Sequence, residues 1–205
     1  MAILEQLDPN DPLHVAVNSC LSTTFYTAAC LSEFTLRNLT CFDPQLHVSP
    51  AANFEDIDHN GLKSTGFHLP KTKTGGPEDM SWSAQHGWTD LKAALERHLT
   101  FNKPPPSGLL FAYCYRGKHR PLTKSKVIKG GPMGSLDPRQ EHGICIGSTL
   151  EYLLRRVPFD VMKVKGHWAS DAFTLYLRKH AQILAPYMQA TPCLPYAKGK
   201  PLLLS

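Results

Sequence analysis

Helical patterning interrupted by glycine and proline constrains the fold of this chain more than any other feature of its sequence. Residues 12–34 begin with a proline, which suits a first helical turn, and continue with apolar residues three or four positions apart. This pattern predicts one long, largely buried helix or two short ones. Similar patterns predict four further helices, over 89–99, 148–157, 158–166 and 170–188.

Two segments lack helical patterning. Residues 61–76 are extended in character, with glycines near both ends, and predict a strand pair or hairpin whose turn contains Pro70. Residues 126–141 hold three glycines and two prolines and predict a loop. The sequence therefore predicts a single α+β domain, mainly α, over residues 1–190, with a small antiparallel sheet at one edge and an irregular tail over 191–205.

Composition narrows the setting in which the chain works. No apolar run approaches the roughly 20 residues needed to span a bilayer, and the first residues lack the basic-then-apolar pattern of a secretory signal. We therefore expect an intracellular protein with no membrane partner. Six cysteines are scattered without paired spacing, which predicts buried thiols and no disulfides.

The distribution of charge is more informative than the net value of +5. Lysine and arginine cluster in 70–74, 115–129 and 178–180, where serine, threonine or histidine donors accompany them. Each cluster alone fits a solvated surface, but three clusters of this composition favour contacts with phosphates. The candidate phosphate-contacting residues, which become DNA-contacting residues if the partner is DNA, are Lys71, Lys73, Arg116, Lys118, Arg120, Lys124 and Arg178.

The last third of the chain holds a set of residues able to carry chemistry. His142 lies at a helix entrance, Trp168 follows the break "KGHW", and Tyr176 comes eight residues later, about two helical turns further along. Taken singly, they fit a capping histidine, a core tryptophan and a tyrosine on an amphipathic helix. Their order along the chain favours a shared site instead.

The segment "HGICIGSTLEYLLRRVPFDVMKVKGHWASDAFTLYLRKHAQILAPY" resembles the C-terminal half of the catalytic domain of tyrosine recombinases, the phage-integrase-like enzymes that break and rejoin DNA. It is especially similar to the copies found in fungal genomes. Upstream, "AACLSEFTLRNL" resembles the family's Ala-Arg-x-Gly-Glu-x-Thr segment, and "HLPKTKT" resembles its hairpin lysine motif. The resemblance covers residues 15–190 and implies the recombinase catalytic-core fold.

The resemblance also implies roles for individual residues. Tyr176 would attack a DNA phosphodiester, His142 would assist proton transfer, Lys73 would protonate the leaving oxygen, and His167 or Trp168 would donate a hydrogen bond to the phosphate. A 3′-phosphotyrosyl ester conserves the bond energy, so no metal or other cofactor is required. The implied partner is double-stranded DNA, bound by an oligomer of this chain, and the implied location is the nucleus.

The chain departs from the family at the residues that grip the phosphate. Cys30 and Cys145 stand where the family has two arginines, whose planar guanidinium groups give bidentate hydrogen bonds. A thiol is short, mostly neutral and a weak donor, and losing one such donor costs on the order of 10²–10³ in rate. We therefore expect very weak or no recombination.

Other departures indicate a decayed copy of a mobile element. Ser32 replaces glycine and His167 replaces arginine, and each change needs one C-to-T transition, as do both arginine-to-cysteine changes. The family's separate N-terminal DNA-binding domain is also missing from this sequence. With its arginine gone, Glu33 is expected to have an unpaired carboxylate.

Two alternatives stay open. The chain could be a non-enzymatic DNA-binding module whose basic segments contact phosphates without cleavage. Alternatively, Cys30, Cys145, His142 and His167 could bind zinc through two sulfur and two nitrogen ligands. Cysteine is much shorter than arginine, so the backbones would have to approach more closely than a phosphate clamp requires. A cysteine-nucleophile enzyme is disfavoured because Cys145 lacks an identifiable oxyanion site.

Overall fold

The computed structural model describes residues 6–72, 75–83, 85, 90–130, 141–168, 183 and 185, and it describes the backbone alone at 129–130 and 141–142. Within these residues the chain is α+β, as predicted, with six helices and five strands. The helices are α1 (Pro12–Thr27), α2 (Leu31–Phe34), α3 (Leu91–Asn102), α4 (Lys124–Gly130), α5 (Glu141–Leu154) and α6 (Phe159–Lys165). The strands are β1 (Asn53–Ile57), β2 (Lys63–Leu69), β3 (Glu78–Trp82), β4 (Ala112–Tyr115) and β5 (Lys118–Pro121).

Helix α1 is the central element. The side chain of Asp11 caps it by accepting from the backbone N–H groups of Leu13 and His14, at 2.8 and 3.0 Å, and Pro12 occupies the first turn. Ala28 ends the helix in the left-handed conformation, with φ of 57°. The segment over 12–34 thus forms two helices, and α1 packs against both α3 and α5.

Strand β2 is the middle of a three-stranded antiparallel sheet, with β1 and β3 on either side. Leu69 pairs with Glu78, so the connection between β2 and β3 begins just after Leu69. The prediction of a strand pair within 61–76 is only half right, because β2 lies there but its partner begins at Glu78. Position 66 requires glycine, because the ring of Phe54 and the carbonyl group of Met80 occupy the space that a Cβ would need.

Aromatic rings join the elements at the centre of the core. Phe34 packs edge-on against Phe67 and Phe111, with ring centroids 6.4 and 5.8 Å apart. Trp82 is 3% exposed, and its ring centroid lies 5.0 Å from that of Phe67, so it is a packing residue of the core. A second buried cluster joins Ala28 to residues that include Leu153 of α5 and Met162 of α6.

Three helix boundaries differ from their predictions. Helix α3, predicted over 89–99, begins at Leu91 with Asp90 as its N-cap and extends to Asn102. Helix α4 covers 124–130, so the loop prediction is wrong for residues 126–130, where the fully buried Val127 makes packing decisive. Helix α5 begins at Glu141 rather than Ser148, while α6 closely matches the predicted 158–166.

Most of the predicted helix over 170–188 and all of the tail over 191–205 lie outside the described residues. In the part of the chain that is described, no helix is both long enough and apolar enough to cross a membrane.

Candidate functional site

The two cysteines that replace the expected arginines come together in space. Cys145, on α5, is 4% exposed, and its Sγ donates a hydrogen bond to the carbonyl oxygen of Ala29 at 2.7 Å. Cys30 follows Ala29 directly and is half-buried at the N-cap of α2. The fold thus brings together two positions that are more than a hundred residues apart in sequence.

Glu33 has a partner, contrary to the prediction of an unpaired carboxylate. The backbone N–H of Cys30 donates to Oε2 of Glu33 at 2.6 Å, and the Cys30 side chain in turn caps the N–H of Glu33. This reciprocal capping box pairs the two residues within one turn of helix. Glu33 is 9% exposed, so this local bond replaces part of the hydration that burial removes from its carboxylate.

His167 lies beside the hairpin that carries the candidate lysines. Its Nδ1 forms a short contact with Oε2 of Glu78, the first residue of β3, and its backbone is left-handed with φ of 50°. Lys71 is exposed just beyond β2, near the same end of the sheet. The C-terminal end of α6 and the β2–β3 hairpin therefore meet through the contact between His167 and Glu78.

Trp168 folds back over the end of α6. Its indole ring occupies the space that a Cβ at Gly166 would need, which explains the glycine there. Lys165, nearby, donates to the carbonyl oxygen of Ser81 in β3 at 2.9 Å, and its Nζ lies 5.0 Å from the centre of the Tyr152 ring. Burial lowers the pKa of Lys165 to about 8.

Tyr176, Lys73 and Arg178 lie outside the described residues, and His142 is described by its helical backbone alone. His142 and Cys145 lie on consecutive turns of α5, one helical turn apart. The approach of the Tyr176 phenol to the other positions therefore stays a prediction.

The β4–β5 hairpin presents a basic surface. Arg116 and Gly117 form its two-residue turn, with φ of 49° and 75°, the positive values that a tight hairpin requires. The guanidinium groups of Arg116 and Arg120 lie 5.4 and 5.1 Å from the centre of the Tyr115 ring. Lys118 is exposed opposite Tyr115. Cations held on a tight hairpin suit a polyanionic ligand.

Asn102, the last residue of α3, fixes this hairpin in place. Its Oδ1 accepts from the backbone N–H of Cys114 at 3.1 Å, and its backbone carbonyl lies 2.8 Å from Nε2 of His119. Its amide also donates to the carbonyl oxygen of Pro12 at 2.9 Å. Sequence reasoning missed Asn102, because an asparagine near a helix end has no pattern that distinguishes it from an ordinary cap. Lys124, the remaining candidate DNA-contacting residue, begins α4 just beyond the hairpin.

The cysteines differ in their exposure to solvent. Cys20 is fully buried, and burial raises the pKa of its thiol. Cys41 and Cys114 are exposed, so the expectation of buried thiols is wrong for both. Cys41 lies in a connecting segment, and Cys114 lies on β4 of the two-stranded hairpin. Neither position requires an apolar side chain.

The zinc alternative gains no support from the described geometry. Among the described residues, no group of three or more histidine, cysteine or acidic side chains is arranged to hold a metal. The Cys145 sulfur is directed at a carbonyl oxygen and His167 at Glu78, so these two candidate ligands face different partners.

Comparison of the chain with protein-family models, with curated proteins and with solved structures gives no match. The recombinase assignment therefore depends on the motifs and on where the fold places them.

Proposed function

We propose that this chain is a tyrosine-recombinase-like DNA-binding domain, acting on double-stranded DNA, whose strand-cleavage chemistry is impaired. The observation that carries the proposal is the contact between Cys145 and Ala29, which places the two expected arginine positions beside each other. A phosphate clamp needs two groups converging on one anion, and the adjacency of residues 30 and 145 meets that requirement.

A second line of support is the basic character of the β4–β5 hairpin. Arg116 and Lys118 are exposed on an anchored hairpin, and Arg120 is held against Tyr115. Such groups bind the sugar–phosphate backbone without reading sequence, and they supply affinity by releasing condensed counterions.

The impairment follows from the chemistry of the two thiols. The phosphate gains negative charge in the transition state, and a preorganised cation stabilises that charge more than it stabilises the ground state. Cys145 donates its hydrogen bond to Ala29 instead. The nucleophile of the proposal remains Tyr176, with His142 and Lys73 in proton transfer and His167 or Trp168 at the phosphate. An oligomer on DNA and a nuclear location belong to the same proposal.

The test is covalent capture on a nicked suicide substrate, whose cleaved strand cannot be rejoined. We expect little or no adduct with the natural chain and an adduct with the Cys30→Arg, Cys145→Arg double variant, at a rate at least about 10²-fold higher. Adding Tyr176→Phe to the double variant should abolish the adduct. Circular dichroism of each variant checks that the larger side chain at the buried position 145 leaves the fold intact.

A non-enzymatic DNA-binding module is the second candidate. It is favoured by the basic β4–β5 hairpin and by the hydrogen bonds that both cysteine side chains already make within the protein. Under this alternative the folded double variant binds DNA but forms no adduct. If neither the natural chain nor the folded variant binds duplex DNA at low salt, both candidates are wrong.

A further inference from the structure

The sulfur of Cys145 lies beside the backbone that leads into Cys30, a relationship that goes beyond the proposed function and needs no DNA. Sγ of Cys145 lies 2.7 Å from the carbonyl oxygen of Ala29. Only the planar peptide group separates that oxygen from Cα of Cys30, a span of about 2.8 Å. Sγ of Cys145 therefore lies within about 5.5 Å of the Cys30 Cα.

A disulfide needs its two Cα atoms about 4.4–6.8 Å apart, and the position of the Cys145 sulfur beside the Cys30 backbone is compatible with that separation. The backbone connecting Ala29 to Cys30 already passes beside the Cys145 sulfur. The Cys30 side chain at present caps the N–H of Glu33, so it has to rotate about its first side-chain torsion toward Cys145. Glu33 keeps its bond to the Cys30 backbone N–H after that rotation.

We propose that Cys30 and Cys145 form a reversible disulfide when the protein meets a low-molecular-weight disulfide such as oxidised glutathione. The half-buried Cys30 reacts first, because Cys145 is only 4% exposed. The Cys30 thiolate attacks one glutathione sulfur and expels the first glutathione thiolate. Cys145 then loses its proton to solvent, attacks the Cys30 sulfur and expels the second thiolate. Two protein thiols are oxidised, and one small disulfide is reduced to two thiols.

The new bond would join the start of α5 to the junction between α1 and α2. It closes a long loop of the unfolded chain, which favours the folded state, although Ala29 loses the thiol donor that its carbonyl now uses. We expect the Tm of the oxidised protein to rise by on the order of 5–10 °C. Oxidation would also fix together the two positions from which a phosphate clamp would have to be built.

Native oxidation followed by peptide mapping tests the proposal. The full-length chain, and a full-length background variant with serine at positions 41, 114 and 193, are incubated folded with oxidised glutathione. Cys41 and Cys114 are exposed and would form competing adducts, and Cys193 lies outside the described residues. Remaining thiols are alkylated, and the digested peptides are identified by mass spectrometry.

The expected result is a linked pair of peptides containing Cys30 and Cys145, a loss of two hydrogens from the intact mass, and reversal by dithiothreitol. Cys30→Ser or Cys145→Ser should abolish the link, whereas Cys20→Ser, at a buried position of α1, should leave it intact.

The proposal is overturned if both cysteines of the folded background variant are recovered alkylated. It is also overturned if Cys30 keeps glutathione without passing the bond to Cys145, or if either cysteine pairs with Cys20. Because the link is detected in a chain that retains both thiols, poor folding of a serine variant cannot mimic a negative result. The peptide map involves no DNA, so failure of this inference and failure of the proposed function remain distinguishable.

Discussion

Nδ2 of Asn102 lies 3.1 Å from Nδ1 of His98, and this contact fixes the proton of the imidazole ring on Nε2. The orientation of the amide follows from its Oδ1, which accepts from the backbone N–H of Cys114. Nδ1 of His98 must therefore accept, and Nε2 donates to the carbonyl oxygen of Leu110 at 2.9 Å. A second proton on the ring would face an amide N–H, so the folded state holds His98 neutral.

The stability of the protein should fall as pH decreases from about 6.5 to 4. Burial lowers the pKa of His98 from its ordinary value of 6.5 to about 4. In that window the unfolded chain binds a proton at His98 and the folded chain does not, so unfolding becomes favoured by up to about 3 kcal/mol at pH 4. Below pH 4 both states are protonated and the loss is complete.

Urea unfolding of His98→Gln at several pH values measures this contribution. The free energy of unfolding of the variant should depend less on pH between 6.5 and 4, by up to about 1.4 kcal/mol per pH unit. His68→Gln is the matched control, because His68 is exposed and bonds to the exposed Asp79. Equal pH dependence in both variants would show that His98 is not the group responsible.

Tyr152→Phe should destabilise the packing of α5 on α1. The Tyr152 hydroxyl donates to the carbonyl oxygen of Tyr26 at 2.8 Å, in the last turn of α1, where that carbonyl has no continuing helix to bond. We expect a loss of about 1 kcal/mol and a Tm lower by about 2–4 °C in thermal unfolding. Tyr115→Phe, at a 44% exposed ring, should leave the Tm nearly unchanged.

Gly66→Ala should disturb the three-stranded sheet. A Cβ at position 66 collides with the ring of Phe54 and with the carbonyl oxygen of Met80, a backbone atom that cannot rotate away. A cost of about 1–3 kcal/mol in chemical denaturation is expected. At Gly76 an added Cβ meets nothing within 4 Å, so Gly76→Ala provides the control. A near-neutral effect at position 66 would mean that the strands can separate without cost.

Removing charge from the β4–β5 hairpin should weaken DNA binding and its salt dependence together. For the double variant Arg116→Ala, Lys118→Ala we expect the slope of log affinity against log salt to become shallower by about 1 for each phosphate that the variant no longer neutralises. Fluorescence anisotropy with a labelled duplex at several salt concentrations gives the slope. The control variant Lys63→Ala, Lys92→Ala removes the same formal charge elsewhere. An identical slope change in the control would show that the hairpin is not the DNA-binding surface.

The sequence is a good guide where a local signal decides the structure. Helix α6 begins after Pro158 and ends at Gly166, as their backbone preferences predict. It fails where packing outweighs local preference. The helix predicted over 148–157 begins instead at Glu141 and includes Gly143 and Gly147, because that stretch packs against Phe25 and Ala29 of the first third of the chain.

The candidate site likewise has features that the sequence predicts and contacts that only the folded chain reveals. Residues 30 and 145 lie close together, while the roles that the family resemblance implies for these positions stay predictions. The partners of His167 and Trp168 were not predicted, because a carboxylate at position 78 and a glycine at position 166 look ordinary until the chain is folded. The long-range bonds of Asn102 escape sequence reasoning for the same reason.

The bonds from α5 to Ala29 and Tyr26 span 116 and 126 residues of sequence, which has a consequence for synthesis of the protein. Helix α1 leaves the ribosome long before α5 exists, at about 5–20 residues per second. Helix α1 is buried on most of its surface in the folded protein, so the side that α5 covers stays open for several seconds during synthesis. A nascent chain halted before residue 141 should therefore be recognised by cellular chaperones until translation resumes.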